Sequence, residues 1–388
     1  MSRRSSLLLA GLAVGASGCW MGPWPGGDFS EPSVGFVYVG PVGDHGWTKA
    51  HDDGRVYLEE NVPGVSTHYE PSVISADAPD VMDGFVADGD NVVFTTSFDY
   101  IAQTQNAAAN NPEVNFLNCS GFYSSANMGS YFGRMYQAWY LAGMVAGHMT
   151  LLSGSNRIGV VGPVVIPETV RHLNALTLGA RSQNPAVVVH IEWIHNWFDA
   201  ELEPQAANTL IDAGADVIVN KTDTTIALGV VQDLYDSGRD VYSIGYDNID
   251  SCEIVGESCL TAPYWNWGPL YARIVQQMMD GSWDPYEQVW DQMKGDRDES
   301  TVYLAEMSTH VPAPVRLEIE NEISELVKEN NIAEPFVGPI LDNTQVLRVQ
   351  DDEAMSDAEL LRMCWYVDGI IDADGAPAEV PGGCGGDY

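Results

Sequence analysis

From Val34 onward, unbroken apolar runs alternate with segments whose apolar positions recur every three to four residues. The runs Val34–Val39, Asn91–Thr95, Val114–Leu117, Arg157–Val161, Ala186–Trp193, Asp216–Asn220 and Asp240–Ile244 read as buried strands. Between them, Lys49–Asn61, Asp77–Asp88, Asp99–Asn110, Tyr131–Thr150, Pro167–Gln183, Glu201–Ala213 and Thr225–Ser237 read as helices. Two of these carry start signals. Pro167-Glu168 puts a proline and an acid in a first turn, and Asp199-Ala200-Glu201 offers an N-cap before a run ending at Gly214. Strands apolar on both faces and separated by helices predict parallel sheets covered on both sides. The stretches from Val34 and from Arg157 each give strand, helix, strand, helix, strand, which predicts two α/β lobes.

Ligands of open α/β sheets bind beyond the carboxyl ends of the strands. Those ends here carry a recurring set of residues: Asp44 and Trp47, then Asp99, Trp197 with Phe198 and Asp199, Thr222-Asp223, and Tyr246-Asp247. The most pointed is Val34–Gly54, VGFVYVGPVGDHGWTKAHDDG, where a strand enters a Gly/Pro loop that presents Trp47 beside Asp44 at a helix start. Two lobes with facing strand ends would close this set around a small molecule.

Composition narrows the partners. At 388 residues and 45% apolar content the chain has material for two folded domains. Its net charge of −38 would be repelled by phosphate backbones and anionic lipid surfaces, which excludes nucleic acid as a partner. Only four lysines occur, Lys49, Lys221, Lys294 and Lys328. Carboxylates in such excess fit a saline habitat, where salt screens their repulsion.

At the N-terminus, Arg3 and Arg4 precede the apolar run Leu7–Gly15, which is too short to span a bilayer. Ala16-Ser17-Gly18 then lead into Cys19, the pattern of a bacterial lipobox. Residues 1–18 are therefore expected to be a lipoprotein signal peptide, Cys19 the acylated residue, and 19–32 a Gly/Pro-rich tether. The mature protein would face the periplasm or the exterior, held to the membrane by lipid alone. Export places the remaining cysteines in an oxidising compartment. Cys252 and Cys259 bracket a short loop and Cys364 and Cys384 a longer one, so two disulfides are expected, with the pairing left open and Cys119 free and buried. No CxxC or HxxxH spacing suggests a metal site, and no P-loop, G-x-S-x-G, G-x-G-x-x-G or H-E-x-x-H occurs. The expectation is a binding protein with no catalytic residues, cofactor or metal.

The stretches VGFVYVGPVGDHGW, AHDDGR, ANMGSYFGRMYQAWYLAGMVAG, PVVIPETVRHLNALTLGARSQNP, NWFDAELEPQAANTLIDAGADVI, IGYD, LTAPYWNWGPLY and MCWYVDGI cover nearly the whole mature chain. Together they resemble the basic membrane protein family of solute-binding lipoproteins of ABC importers, also called PnrA-like. The resemblance implies a type I periplasmic-binding fold, two lobes joined by three crossings and closing on ligand. It puts residues 33–121 and 250–296 in an N-terminal lobe, 122–249 and 297–362 in a C-terminal lobe, and 363–388 in a disulfide-tied tail. It implies a monomer that binds a purine nucleobase or nucleoside and delivers it to an ABC permease.

In that family two aromatics sandwich the base, and the matching positions here are Trp47 and Trp197. Asp247 matches the acidic residue that binds sugar hydroxyls or a base edge, with Asp44, Asn127, Asp223 and Asp99 as further candidates. Many members carry a lysine in the segment matching Thr261–Trp267. This chain reads TAPYWNW there, with Trp265 in the lysine's place, which makes Trp265 a candidate and shifts the expectation toward a free base. Glu168 reads as a helix-terminal acid and Phe198 as core. The same fold could instead cage a quaternary ammonium among its tryptophans or serve as a ligand sensor.

Overall fold

The computed structural model describes residues 29–382 and Cys384. The expected signal peptide, Cys19 and most of the tether lie outside the described residues. The first third of the chain gives β1 (Ser33–Val37), α1 (Trp47–Asn61), β2 (Ser66–Glu70), α2 (Ala78–Asp88), β3 (Val92–Thr95), α3 (Ile101–Asn110), β4 (Asn115–Cys119) and β5 (Met128–Gly133). Then follow α4 (Tyr136–Ser153), β6 (Arg157–Gly162), α5 (Pro167–Gln183), β7 (Val188–Trp193), α6 (Leu202–Asp212), β8 (Val217–Asn220), α7 (Ile226–Asp236), β9 (Tyr242–Ile244) and α8 (Ser251–Val255). The last part gives β10 (Pro263–Trp265), α9 (Trp267–Asp280), β11 (Val289–Asp291), β12 (Val302–Leu304), α10 (Ala313–Leu326), β13 (Ile340–Leu341), β14 (Leu347–Val349), α11 (Asp357–Leu360) and β15 (Ile370–Ile371).

The strands form two all-parallel sheets, ordered β11-β5-β4-β3-β1-β2 and β15-β7-β6-β8-β9. Helices cover both, so β1, β3, β4 and β8 are buried almost throughout, as runs without alternation require. The chain passes between the sheets three times: from β5 to α4, from β9 through β10 to α9, and from β11 to β12. β10 and β12 pair antiparallel at this junction. This is the type I fold of periplasmic solute-binding proteins.

Four differences from the expected elements and division have local causes. β5 lies in the first sheet, beyond the division expected at 121/122. Its glycines, Gly129 and Gly133, hid a six-residue strand that is buried along its whole length. The helix expected from Tyr131 therefore starts only at Tyr136. The edge strand β2, STHYE, has no apolar run to mark it. Residues 370–371, expected in a separate tail, extend the second sheet beside β7.

α4 and α5 form the spine of the second lobe. α4 is apolar all round and buried on nearly every face. Its close approach to α5 depends on small residues. A Cβ on Gly143 would sit 2.1 Å from the Leu176 carbonyl oxygen, and one on Gly179 would sit 2.0 Å from that of Tyr140. Disulfides close Cys252–Cys259 and Cys364–Cys384, and Cys119 is buried and unpaired in β4.

Candidate functional site

Asp44 sets the entry to α1. Its carboxylate accepts the backbone N–H groups of Gly46 and Lys49 at Oδ1, both at 3.0 Å, and of Thr48 at Oδ2, at 2.8 Å. These are the orphan donors of a helix start. Burial pushes the Asp44 carboxyl up, and the three N–H groups oppose that rise. Asp44, expected at the ligand, is thus committed to capping, and what it positions is Trp47.

Trp47 is the first residue of α1. Its indole Nε1 donates to the Thr96 carbonyl at 2.7 Å. Behind it stand three stacked rings: Trp265 on Trp267 at 4.4 Å and 8°, and Trp267 on His51 at 4.6 Å and 9°. Trp47 meets them edge-on, at 4.6 Å from His51 and 5.8 Å from each tryptophan. Aromatic pairs of this kind contribute about 0.5–1.5 kcal/mol each beyond burial. The rings fix the indole's orientation and leave one face toward the space between the lobes.

That space is a chamber of about 20 Å³. The first lobe lines it with Val39, Trp47, Ser97, Phe98 and Ser120, and the second with Glu168, Trp197, Lys221, Asp223 and Tyr246. Hydrogen bonds bridge the lobes around it. Trp197 Nε1 donates to Asp99 Oδ2 at 3.0 Å, Ser120 Oγ to Glu168 Oε2 at 3.0 Å, and the Trp47 N–H to the Asp223 carbonyl at 3.4 Å. Here Gly46 passes so close that a Cβ would sit 1.9 Å from the Asp223 carbonyl oxygen. The described conformation is a closed one.

Trp47, Trp197 and Asp223 come together as lining groups; the other candidates do not. Asp99 is exposed and holds Trp197 from outside the chamber. Asp247 is fully buried behind the wall, in the left-handed region at φ 67°. Its Oδ1 accepts Trp265 Nε1 at 3.0 Å, and its Oδ2 has no partner among the described residues. Trp265 is accordingly a buttress for Trp47 and Asp247 rather than a wall. Asn127 is removed from the site. Its amide nitrogen donates to the carbonyls of Ala108, Asn111 and Val114, which pins the turn before β5. Phe198, expected in the core, is 45% exposed.

From the sequence, Lys221 has no role at the site, Glu168 reads as a helix-terminal acid, and Tyr246 stands only beside Asp247 at a strand end. Lys221 directly follows β8 and is 2% exposed. Its Nζ lies 3.9 Å from Glu168 Oε1 and 4.2 Å from the centre of the Tyr246 ring. A lysine in a chain with four of them, at the carboxyl end of a buried strand, was the available signal. Glu168 does open α5, but its carboxylate faces the chamber. Tyr246 is buried, and its hydroxyl has no partner among the described residues. Burial pushes the carboxyls of Asp223 and Asp247 well above the usual range. Asp247 adds to the rise at Asp223, and Lys221 opposes it at both. The site therefore combines flat apolar faces, one buried ammonium, and carboxyls that favour holding a proton. This set can stack on a ring and both donate to and accept from its edge. Among the described residues no group of three or more His, Cys, Asp or Glu side chains could hold a metal ion.

The model of the family described as "ABC transporter substrate-binding protein PnrA-like" matches residues 31–310. The "Purine-binding protein BAB2_0673" of Brucella abortus is 34% identical over 341 residues, 87% of this chain and 93% of that protein. The "Putative ABC transporter glucose-binding protein TsgA13" of Haloferax volcanii is 34% identical over 252 residues, 65% of this chain and 62% of that protein. Among solved structures, an ABC transporter solute-binding protein from Conexibacter woesei superposes with a TM-score of 0.60 at 20% identity, covering 76% of this chain and 96% of its own.

Proposed function

The chain belongs to the PnrA-like family of ABC transporter substrate-binding proteins, and on that premise we propose that it captures a purine base or nucleoside and hands it to a membrane permease. Proteins of this family are extracytoplasmic solute binders rather than enzymes, and no described helix is long and apolar enough to cross a membrane. The observation that carries the purine reading is that Trp47 and Trp197 line one chamber from opposite lobes. Stacking contributes about 1–3 kcal/mol per base by alanine substitution. Two faces would supply a good part of the roughly 8 kcal/mol of a micromolar ligand. Lys221, the Tyr246 hydroxyl and Asp223 offer donors and acceptors for the ring edge or a ribose. Lys221 provides the ammonium that the TAPYWNW segment lacks, so base and nucleoside stand level. A planar ring needs more room than the empty chamber gives, so the lobes part at the three crossings to admit it and close again around it with the Gly46–Asp223 contact restored. Cys19 is proposed as the lipid anchor. Substituting Cys19→Ser should release the protein from the membrane fraction, and retention there would remove that reading.

A second reading has its own support. The Haloferax volcanii relative is named for glucose, and buried carboxylates beside a tryptophan also suit a sugar. Calorimetry with adenine, guanine, hypoxanthine and their nucleosides, run against glucose and choline, separates the readings. A micromolar purine with silent controls is expected. Heat from glucose or choline with none from purines would replace the purine reading.

A further inference from the structure

Phe98, Ser120 and Glu168 line a second space besides the chamber, a cavity of about 1020 Å³ between the lobes. Its apolar walls include Phe122, Phe132 and Trp290, and Arg171 lies among them. Arg171 is 2% exposed. Its Nη1 donates to the Leu360 carbonyl at 2.8 Å, and its guanidinium lies over Trp290, 5.0 Å from the ring centre. Its Nε has no hydrogen-bond partner among the described residues, and the group forms no ion pair there. Burial pulls its pKa down to about 10, so it remains a cation at neutral pH.

The other charged groups at this cavity already have counter-ions or solvent. Asp357 is held by Arg134 through two bonds, at 2.8 and 2.6 Å. Glu168 accepts from Ser120 and lies 3.9 Å from Lys221. Arg362 is exposed at the rim. Among the charged groups lining this cavity Arg171 alone is buried without an ion pair, Glu168 and Asp357 acting on it only from beyond contact distance, in a chain of 55 acidic and 17 basic residues. A buried charge is costly unless paired. Glu168 and Arg171 are three residues apart on α5 and so share a face, about 5–6 Å apart at Cβ. One turn of helix thus presents a wall of the chamber and then an unpaired cation.

We propose that this cavity receives the anionic end of a two-part ligand, a phosphate monoester carried on a flat base, with Arg171 as its counter-ion. The ring half of this proposal rests on the purine reading; the anion half rests on Arg171. A guanidinium suits the role because it can grip phosphate oxygens with two parallel N–H donors.

The test is calorimetry on the whole protein with adenosine, guanosine and inosine, each against its 5′-monophosphate at fixed ionic strength. At least one monophosphate is expected to bind ten-fold or more tightly than its nucleoside. In Arg171→Gln that ratio should fall to near one, with Arg171→Lys between, and in exposed Arg362→Gln it should fall only a few-fold. A wild-type ratio of one or less, or a ratio that Arg171→Gln leaves unchanged, overturns the proposal. Should Arg171→Gln fail to fold, the wild-type ratio and its reduction in Arg171→Lys still decide. Inorganic phosphate is titrated in parallel, read by tryptophan fluorescence. If no purine compound binds, the purine reading fails, while a phosphate response lost in Arg171→Gln and weakened in Arg171→Lys would still uphold the anion site. No phosphate response as well would end both.

Discussion

The two indole walls of the chamber are held in different ways. Trp47 is fixed within its own lobe, by the Thr96 carbonyl at its nitrogen and a stack of three buried rings at its back. Trp197 sits on the loop after β7, and its nitrogen bonds Asp99 of the opposite lobe. When the lobes part, the contacts of Trp47 with Thr96, His51 and Trp267 stay within the first lobe, and Trp197 loses its anchor. One wall is a preformed platform and the other a jaw. Their surroundings differ likewise. The platform side offers rings and hydroxyls, and the jaw side carries Glu168, Lys221 and Asp223. A ligand would dock on the rigid apolar face first and meet charge only as the jaw closes.

The harshest way to break this contrast is to block closure and leave both walls intact. Gly46→Ala would drive a methyl into the Asp223 carbonyl of the other lobe, and an unchanged circular-dichroism spectrum would show that the fold itself survives. Affinity should fall by about 100-fold or more, the cost of excluding the closed state by roughly 3 kcal/mol. Calorimetry would read the loss, and small-angle scattering should show no ligand-induced compaction. Unchanged affinity would mean that closure does not matter to binding. Removing the platform comes next. Trp47→Ala should weaken binding by about 1–3 kcal/mol, one stacking face, and an unaltered dissociation constant would move the site elsewhere. Releasing the jaw should cost less. Asp99→Ala removes one exposed hydrogen bond, worth about 0.5–1.5 kcal/mol, and should appear as faster dissociation in stopped-flow with little change in association. Equal effects of Asp99→Ala and Trp47→Ala would erase the distinction between the walls.

The smallest effect is on pH dependence. Burial raises the Asp223 and Asp247 carboxyls above their unfolded values. Between the ordinary carboxyl range and the raised one, the native state binds more protons than the unfolded chain. Stability therefore falls as pH rises through that window and recovers as pH drops. The melting temperature should rise from pH 7 to pH 5, and rise less in Asp223→Asn. An identical rise in the variant would assign the effect to the net charge of −38 instead.

Much of the fold was legible because its driving pattern is local. α5 runs from Pro167 to Gln183 as its start signal indicates, and Asp199 Oδ1 accepts the N–H groups of Glu201 and Leu202 at the head of α6. The platform was legible too, because strand, Gly/Pro loop and helix start follow one another in sequence. What failed were side chains whose duty is set by distant partners. Asn127 looks like a ligand amide until three carbonyls on α3 and its following turn are seen to take its donors. Trp265 looks like a replacement for a binding lysine, but its nitrogen is aimed at Asp247, eighteen residues back on the same crossing. Lys221 escaped notice because the ammonium was sought in TAPYWNW, far along the chain from β8.

The burial of Lys221 makes the chain its own reporter. Of four lysine amines, the side chains of Lys49 and Lys328 are 34% and 50% exposed and Lys294 is half-buried, while Lys221 is shut between the lobes. An amine-reactive reagent should modify three lysines quickly. The fourth should react only as often as the jaw opens, so the mass of the labelled protein would count opening events without any introduced dye.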